Sequence, residues 1–306
     1  MSDYITWNEG EQTNFLRAVK DKTGLTWNEI AEHLNFSRGM LFFYLDESCR
    51  MSYETFLKLC KLGNLEPFKF YPHIIKKTKL SKITTLKSYT FPQKTNPQLA
   101  EFIGIYLGDG YLGPVSYEVS VSCGEIDYPY ITNFIPNLMK RLFSIKPKII
   151  YYKNSKGIKC YIFSKGVVMS FVNKYGFNSG RKIKPKIPNF IFEDDFMLKF
   201  CIRGLIDTDG GIYRHHKNSI QLAFYNSEYS LISSLKEAFL KLGYNPKFCK
   251  YGTRDGYVLF LFTKEVEKYF KEIGSNNKKN ILKFKLWKET GRVPKNNEIL
   301  DEILNK

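Results

Sequence analysis

Two stretches roughly 100 residues apart spell the same helix, and each ends in Asp-Gly. The first runs Leu99-Ala100-Glu101-Phe102-Ile103-Gly104-Ile105-Tyr106-Leu107-Gly108-Asp109-Gly110, and the second runs Phe200-Cys201-Ile202-Arg203-Gly204-Leu205-Ile206-Asp207-Thr208-Asp209-Gly210. Asn96-Pro97 gives the first copy a capping side chain and a first-turn proline, and Asp194-Asp195 opens the second. Alternating segments follow both helices. Val115, Tyr117, Val119 and Val121 alternate with Ser116, Glu118, Ser120 and Ser122, while Ile220, Leu222 and Phe224 alternate with Gln221, Ala223 and Tyr225. Helical stretches come next at Tyr130–Phe143 and Ser230–Leu242. Strand pairs then follow at Lys148–Tyr152 with Cys160–Ser164 and at Lys247–Tyr251 with Tyr257–Thr263. The predicted fold class is α+β: two αββαββα halves related by a pseudo-twofold axis, each with an antiparallel sheet.

The spacing within the helices states how they meet. Gly104 and Gly108 lie four apart on one face, as do Gly204 and Thr208, and small residues at that interval let two helix backbones approach closely. Packed about a twofold, the pair brings Asp109 and Asp209 together at the C-terminal ends, where the helix dipole favours cations. Two carboxylates there suit Mg²⁺ (or Mn²⁺), a hard ion that takes few protein oxygens and completes its shell with water and phosphate. Either Asp-Gly alone is ordinary turn chemistry. Gly108, Gly110 and Gly113 also satisfy a G-x-G-x-x-G spacing, but a strand pattern follows where a dinucleotide fold needs a helix.

Charge points to the partner. The 306-residue chain carries a formal net charge of +17, which favours a polyanion. Residues 1–65 hold 7 Lys/Arg against 9 Asp/Glu, whereas the remainder holds 40 against 21. The polyanion site is therefore expected after residue 65. Residues 1–65 read as a small all-α domain: Thr26-Trp27-Asn28-Glu29 forms a capping box, Ser37 caps the next helix, and another runs Tyr53–Leu62. This order resembles the helix-turn-helix of phage-repressor-type regulators, although Ser37-Arg38-Gly39-Met40-Leu41-Phe42-Phe43-Tyr44 offers few groups for base edges. Residues 66–95 read as a basic, extended linker, with Lys69, Lys76, Lys77, Lys79, Lys82, Lys87 and Lys94 opposed by Glu66. The first half then spans 96–190 and the second 191–306, with a C-terminal extension.

The duplicated helices resemble the LAGLIDADG homing endonucleases. Gly204-Leu205-Ile206-Asp207-Thr208-Asp209-Gly210 is a close match, and the first copy departs by having Leu107 where the second has Asp207. The resemblance spans residues 96–285 and implies a single-chain, monomeric, Mg²⁺-dependent endonuclease. Such an enzyme cuts both strands of a long asymmetric duplex across the minor groove and leaves short 3′ overhangs. It implies metal held by Asp109 and Asp209 with the adjoining Gly108 and Thr208, and one basic residue per half near the site that polarises the scissile phosphate and its water network. In Arg181-Lys182-Ile183-Lys184-Pro185-Lys186 the candidate is Lys186, with Lys184 as rival; in the second half it is Lys279 or Lys278. Asn226 fits the place of a water-positioning residue, and Cys123 stands there in the first half.

DNA reading falls to the sheet faces, with Ser120, Ser122, Gln221 and Tyr225 on the polar strand phase and Lys153, Arg214, Lys250 and Arg254 nearby. His33, His73, His215 and His216 form no metal pattern. Two other readings stay open: a non-catalytic DNA-binding regulator on the same fold, and an RNA splicing maturase. An intein is disfavoured, since Met1 and Leu304-Asn305-Lys306 lack the splicing nucleophile and a terminal His-Asn. Six dispersed cysteines without a C-x-x-C pair fit a reducing cytoplasm, with nucleoid association on DNA and an organellar origin left open. No apolar run reaches the length of a membrane span, so no membrane partner is expected.

Overall fold

The computed structural model describes residues 4–78, 89–92, 94–152, 155–250 and 256–304. The chain divides into two units, Met1–Lys87 and Ser88–Lys306.

The N-terminal unit contains β1 (Tyr4–Trp7), α1 (Glu11–Thr23), α2 (Trp27–His33), α3 (Arg38–Leu45), α4 (Tyr53–Leu62), a 3₁₀ segment at Pro67–His73, and β2 (Ile74–Thr78). The capping box forms: the Glu29 N–H donates to Thr26 Oγ1, and the Glu29 carboxylate accepts from the Thr26 N–H at 2.7 Å. Asn35, in the left-handed region at φ 54, turns the chain toward Ser37, which caps α3. Trp7, Phe15, Phe56 and Phe70 form the aromatic centre of this core.

Part of the expected linker is folded into the N-terminal unit. Residues 67–78 return to the N-terminus, where β2 pairs antiparallel with β1 through Ile5↔Lys77 and Trp7↔Ile74. Ile5 and Trp7 are buried, and Phe70 and Ile74 cover the same core, so the strand gains both a hydrogen-bonding partner and apolar cover. Lys79, Lys82 and Lys87 lie outside the described residues. Residues 89–91 already belong to the second unit: Tyr89 and Phe91 pack on its core, and the Thr90 N–H donates to Phe143 O at 3.0 Å.

The second unit repeats one plan twice. Its first half runs α5 (Pro97–Leu107), β3 (Gly110–Leu112), β4 (Glu118–Gly124), α6 (Ile135–Phe143), β5 (Lys148–Tyr151), β6 (Gly157–Phe163) and α7 (Lys165–Tyr175). After α8 (Asn189–Phe192), the second half runs α9 (Asp195–Asp209), β7 (Gly210–Arg214), β8 (Ile220–Asn226), α10 (Tyr229–Lys241), β9 (Lys247–Lys250), β10 (Tyr257–Phe262) and α11 (Thr263–Glu272). The sheets have orders β3-β4-β6-β5 and β7-β8-β10-β9, wholly antiparallel. This is the predicted α+β architecture.

Asn96 and Asp194 cap the two central helices, accepting from Leu99 N–H at 2.8 Å and Phe196 N–H at 2.7 Å. Gly110 starts β3 so close to the Tyr106 backbone that any Cβ would overlap it. β4 begins at Glu118, not at Val115. Val115 is 86% exposed in the preceding turn, and Tyr117 adopts φ 53, so the apparent alternation there is a hairpin connection. The extension forms α12 (Lys278–Thr290) and α13 (Asn296–Leu304), whose Leu282, Ile299 and Ile303 cluster with Ile126 of the first half.

Candidate active site

The site rests on the contact between α5 and α9. A Cβ on Gly104 would collide with Cys201 O, and one on Gly204 with Glu101 O, so the two backbones touch. Gly108 faces Thr208, whose hydroxyl donates back to Gly204 O at 3.0 Å and is thereby satisfied within its own helix. Next to Gly204, Arg203 grips Glu101 of α5 across the helix pair at 2.8 and 2.7 Å. Glu101 is 3% exposed, and removing one member of such a buried pair costs about 3–5 kcal/mol.

This packing delivers Asp109 and Asp209 to one point, where their side chains interact directly. Burial holds both carboxyls above the ordinary carboxylate range, and Asp109 is raised further by the charges of Asp209 and Asp127. Each has a donor at the matching place in its sheet. Asn226 Nδ2 donates to Asp209 Oδ2 at 3.2 Å, and the Cys123 thiol donates to Asp109 Oδ2 at 3.6 Å.

The first-half lysine at this point is Lys182, not Lys186. Lys182 Nζ donates to Leu107 O at 3.0 Å and to Gly108 O, and its charge acts on both aspartates. Burial pushes it down to about 8 against the pull of Asp209 and Asp109. Lys186 and Lys184 are exposed. In the second half Lys279 reaches the site, 9% exposed, with Nζ 2.8 Å from Asp127 Oδ1. Burial would lower its pKa, but Asp127 outweighs this and holds it above the usual lysine value. Lys278 points away and donates to Glu302 O at 2.6 Å. A symmetric signal was available in the sequence: Lys182 lies seven residues past the end of α7, as Lys279 does past α11.

Asp207, the acid that replaces Leu107, is fully buried and organises the loop leading to Lys279. It accepts from the Asn276 N–H at 2.7 Å, from Asn280 Nδ2 at 3.3 Å and from the Ser275 hydroxyl. Burial pushes it up to about 7 despite these donors. Asn277 Nδ2 then donates to Asp207 O at 2.8 Å and to Asp127 Oδ1 at 2.6 Å, joining the halves. Sequence reasoning passed over Asp127, since one acid in a turn after a strand carries no pattern.

The expected DNA contacts separate on inspection of register. Gln221 and Tyr225 share a concavity with Asp209, Tyr213 and Arg214. Ser122 is exposed, but Ser120 is 3% exposed between its cross-strand neighbours Tyr111 and Tyr161, with its hydroxyl donating to Glu118 at 2.6 Å. Lys250 pairs with Tyr257, which pairs with Asn226, placing it on the opposite phase from Gln221 and Tyr225; Lys247 and Cys249 share their phase instead. Lys153 and Arg254 lie outside the described residues. The His215 and His216 rings lie 4.0 Å apart and tilted by 52°, and His215 also leans on Phe262.

Among the described residues, no three His, Cys, Asp or Glu side chains converge as a metal cage. The carboxylate pair suits a cation that takes few protein ligands. Burial raises both carboxyls, the like charge of Asp209 adds to this at Asp109, and the Lys182 ammonium rests on the adjoining Gly108 carbonyl. The Thr208 side chain is committed to its own helix.

Residues 196–274 match the family model of the LAGLIDADG-like domain. The chain is 30% identical over 155 residues to the ATP-dependent DNA helicase Hel308 of Methanocaldococcus jannaschii, and 29% identical over 151 residues to that organism's replication factor C small subunit. These alignments take in 50% and 48% of this chain but 12% and 8% of those proteins, so the chain spans a small fraction of the curated relatives it matches. Among solved structures, it is similar to I-DmoI in complex with DNA and Mn (19% identity, TM-score 0.44, 58% of this chain and 96% of that one). It is also similar to I-WcaI bound to its DNA recognition sequence (14% identity, TM-score 0.47, 63% and 88%). Residues 196–274 thus carry a LAGLIDADG-like domain, and residues 97–175 repeat its element order and strand order.

Proposed function

We propose that this chain is a site-specific, divalent-metal-dependent endonuclease that cuts both strands of a long, asymmetric DNA duplex as a monomer. The observation that carries this reading is the pair Asp109 and Asp209, in contact at the ends of two helices and flanked by Lys182 and Lys279. Asp109 and Asp209 would hold Mg²⁺ or Mn²⁺, while the Gly108 carbonyl is taken by the Lys182 ammonium. When bound, the metal supplies charge neutralisation at the scissile phosphates and a more acidic water.

The protein's own groups do the positioning. Asn226 and Cys123 fix one oxygen of each carboxylate. Lys182 and Lys279 present ammonium groups to phosphate oxygens, where preorganised charge counts most in a buried site. Asp127 keeps Lys279 charged and in place. Gln221, Tyr225 and Arg214 line the concave face leading away from Asp209 and take base edges or phosphates there. With both halves in one chain, the target needs no palindrome. The N-terminal unit is an accessory in this reading, since its α3 exposes Phe42 and Phe43.

The test uses a duplex spanning the uninterrupted insertion site of the protein's own gene, with Mg²⁺. Wild type should make a double-strand break, and Asp109→Asn or Asp209→Asn should abolish it while keeping DNA binding. Tight binding without cleavage by wild type would instead favour a DNA-binding regulator.

A further inference from the structure

The C-terminal extension builds a second basic surface beside the second sheet. A groove runs between the end of β7 and the α12–α13 turn, lined by Tyr213, Arg214, Lys283, Arg292, Val293 and Lys295 among others. Four of its lining residues are cations, and none of its described lining residues is a carboxylate. Glu298 stands behind the turn, accepting from Arg292 at 2.7 Å and from the Lys295 N–H at 3.3 Å, which orders the loop.

Lys283 is the unusual member. It is 4% exposed, its Nζ donates to Ile212 O at 3.2 Å, and it lies 5.3 Å from the Tyr213 ring. An ammonium has three N–H donors, and a carbonyl with a ring face is a modest return for burying one. Burial and the neighbouring Lys279 push it down to about 8 against the pull of Asp127. Of the four cations only Arg292 has a carboxylate partner among the described residues, Glu298.

Its position indicates what it receives. Tyr213 and Arg214 line both this groove and the concavity that contains Asp209, Gln221 and Tyr225, so the two surfaces are continuous. We propose that the groove seats backbone phosphates of the bound duplex beyond the second sheet, so that α12 and α13 lengthen the footprint on that side alone. This rests on the reading of the chain as a DNA-binding protein. Its contribution is independent of base sequence, because phosphate contacts position a duplex without reading it.

The experiment measures anisotropy of a fluorescent 40-base-pair duplex of arbitrary sequence against salt, for wild type, for Arg292→Gln with Lys295→Gln, and for a control, Lys140→Gln with Arg141→Gln. The control residues are exposed on α6. Wild type should bind with a steep salt dependence. Removing two phosphate contacts should lower the log–log salt slope by about 2 and weaken low-salt binding on the order of tenfold, with the control unchanged. Circular dichroism melting confirms that both double variants are folded; Lys295→Gln alone, with an expected slope change of about 1, replaces the pair if it melts early. Wild-type binding with an unchanged slope in the groove variant would overturn the inference and leave the DNA-binding reading intact. An equal loss in the control would overturn it too, by showing that net charge, not the groove, sets affinity. Absence of wild-type binding would defeat the broader reading.

Discussion

The two halves of the second unit share strand order, a central aspartate and a flanking lysine, yet differ in the groups that hold those side chains. The first helix reaches Asp109 through Leu107, and the second reaches Asp209 through the buried Asp207. Asp109 is met by a thiol from Cys123, Asp209 by an amide from Asn226. Lys182 rests on backbone carbonyls, whereas Lys279 is held by the carboxylate of Asp127. Backbone packing is the same in both halves because Gly104 faces Cys201 O and Gly204 faces Glu101 O on the opposite helix, and neither tolerates anything larger. Side chains above that contact are free to diverge. The scaffold is symmetric and its chemistry is not.

The largest effect is expected at the symmetric part. Gly204→Val forces a side chain into Glu101 O and should destabilise the protein by at least ~3 kcal/mol, read from denaturant unfolding. Gly104→Val should cost a similar amount, and a large inequality between them would break the symmetry of the packing.

Making the second helix resemble the first, by Asp207→Leu, comes next. It strands the donors of Ser275, Asn276 and Asn280 and should cost about 2–3 kcal/mol. Leu107→Met, the matched change in the first half, should cost less than about 1.5 kcal/mol.

Strand-specific cleavage sharpens the comparison of the lysines. Lys182→Met and Lys279→Met should each slow cutting by about 100-fold, and on opposite strands, so that each variant accumulates a different nick on a doubly end-labelled duplex. Asp127→Asn should reproduce the Lys279→Met nick more weakly. The smallest effect is expected from Cys123→Asn, which copies the second half's donor into the first. Cleavage rate should change by no more than about threefold, since one neutral hydrogen bond replaces another.

The features legible in the sequence were those fixed by spacing along one element. Asp209 ends α9 and Asp109 lies just past the end of α5, and four-residue intervals of small residues place the helix contact on one face. What stayed hidden depended on neighbours from other elements. Lysines alternate through Lys182, Lys184 and Lys186, and only the fold of the loop after α7 decides which one reaches Gly108. Ser120 has the right strand phase but is covered by Tyr111 and Tyr161 from adjoining strands. Lys250 looks available for DNA until the β9–β10 register sets it on the other phase. The segment Ile74–Thr78 reads as a charged linker because its partner, β1, lies about 70 residues earlier in the chain.

The central claim, that Asp109 and Asp209 form a divalent-cation site at the paired helix ends, is tested most directly by electron paramagnetic resonance of Mn²⁺ titrated into the protein bound to its duplex. Wild type should take up Mn²⁺ beyond the amount held by the duplex alone, and Asp109→Asn with Asp209→Asn should lose that excess while still binding DNA. Equal Mn²⁺ uptake by wild type and the double variant would contradict it.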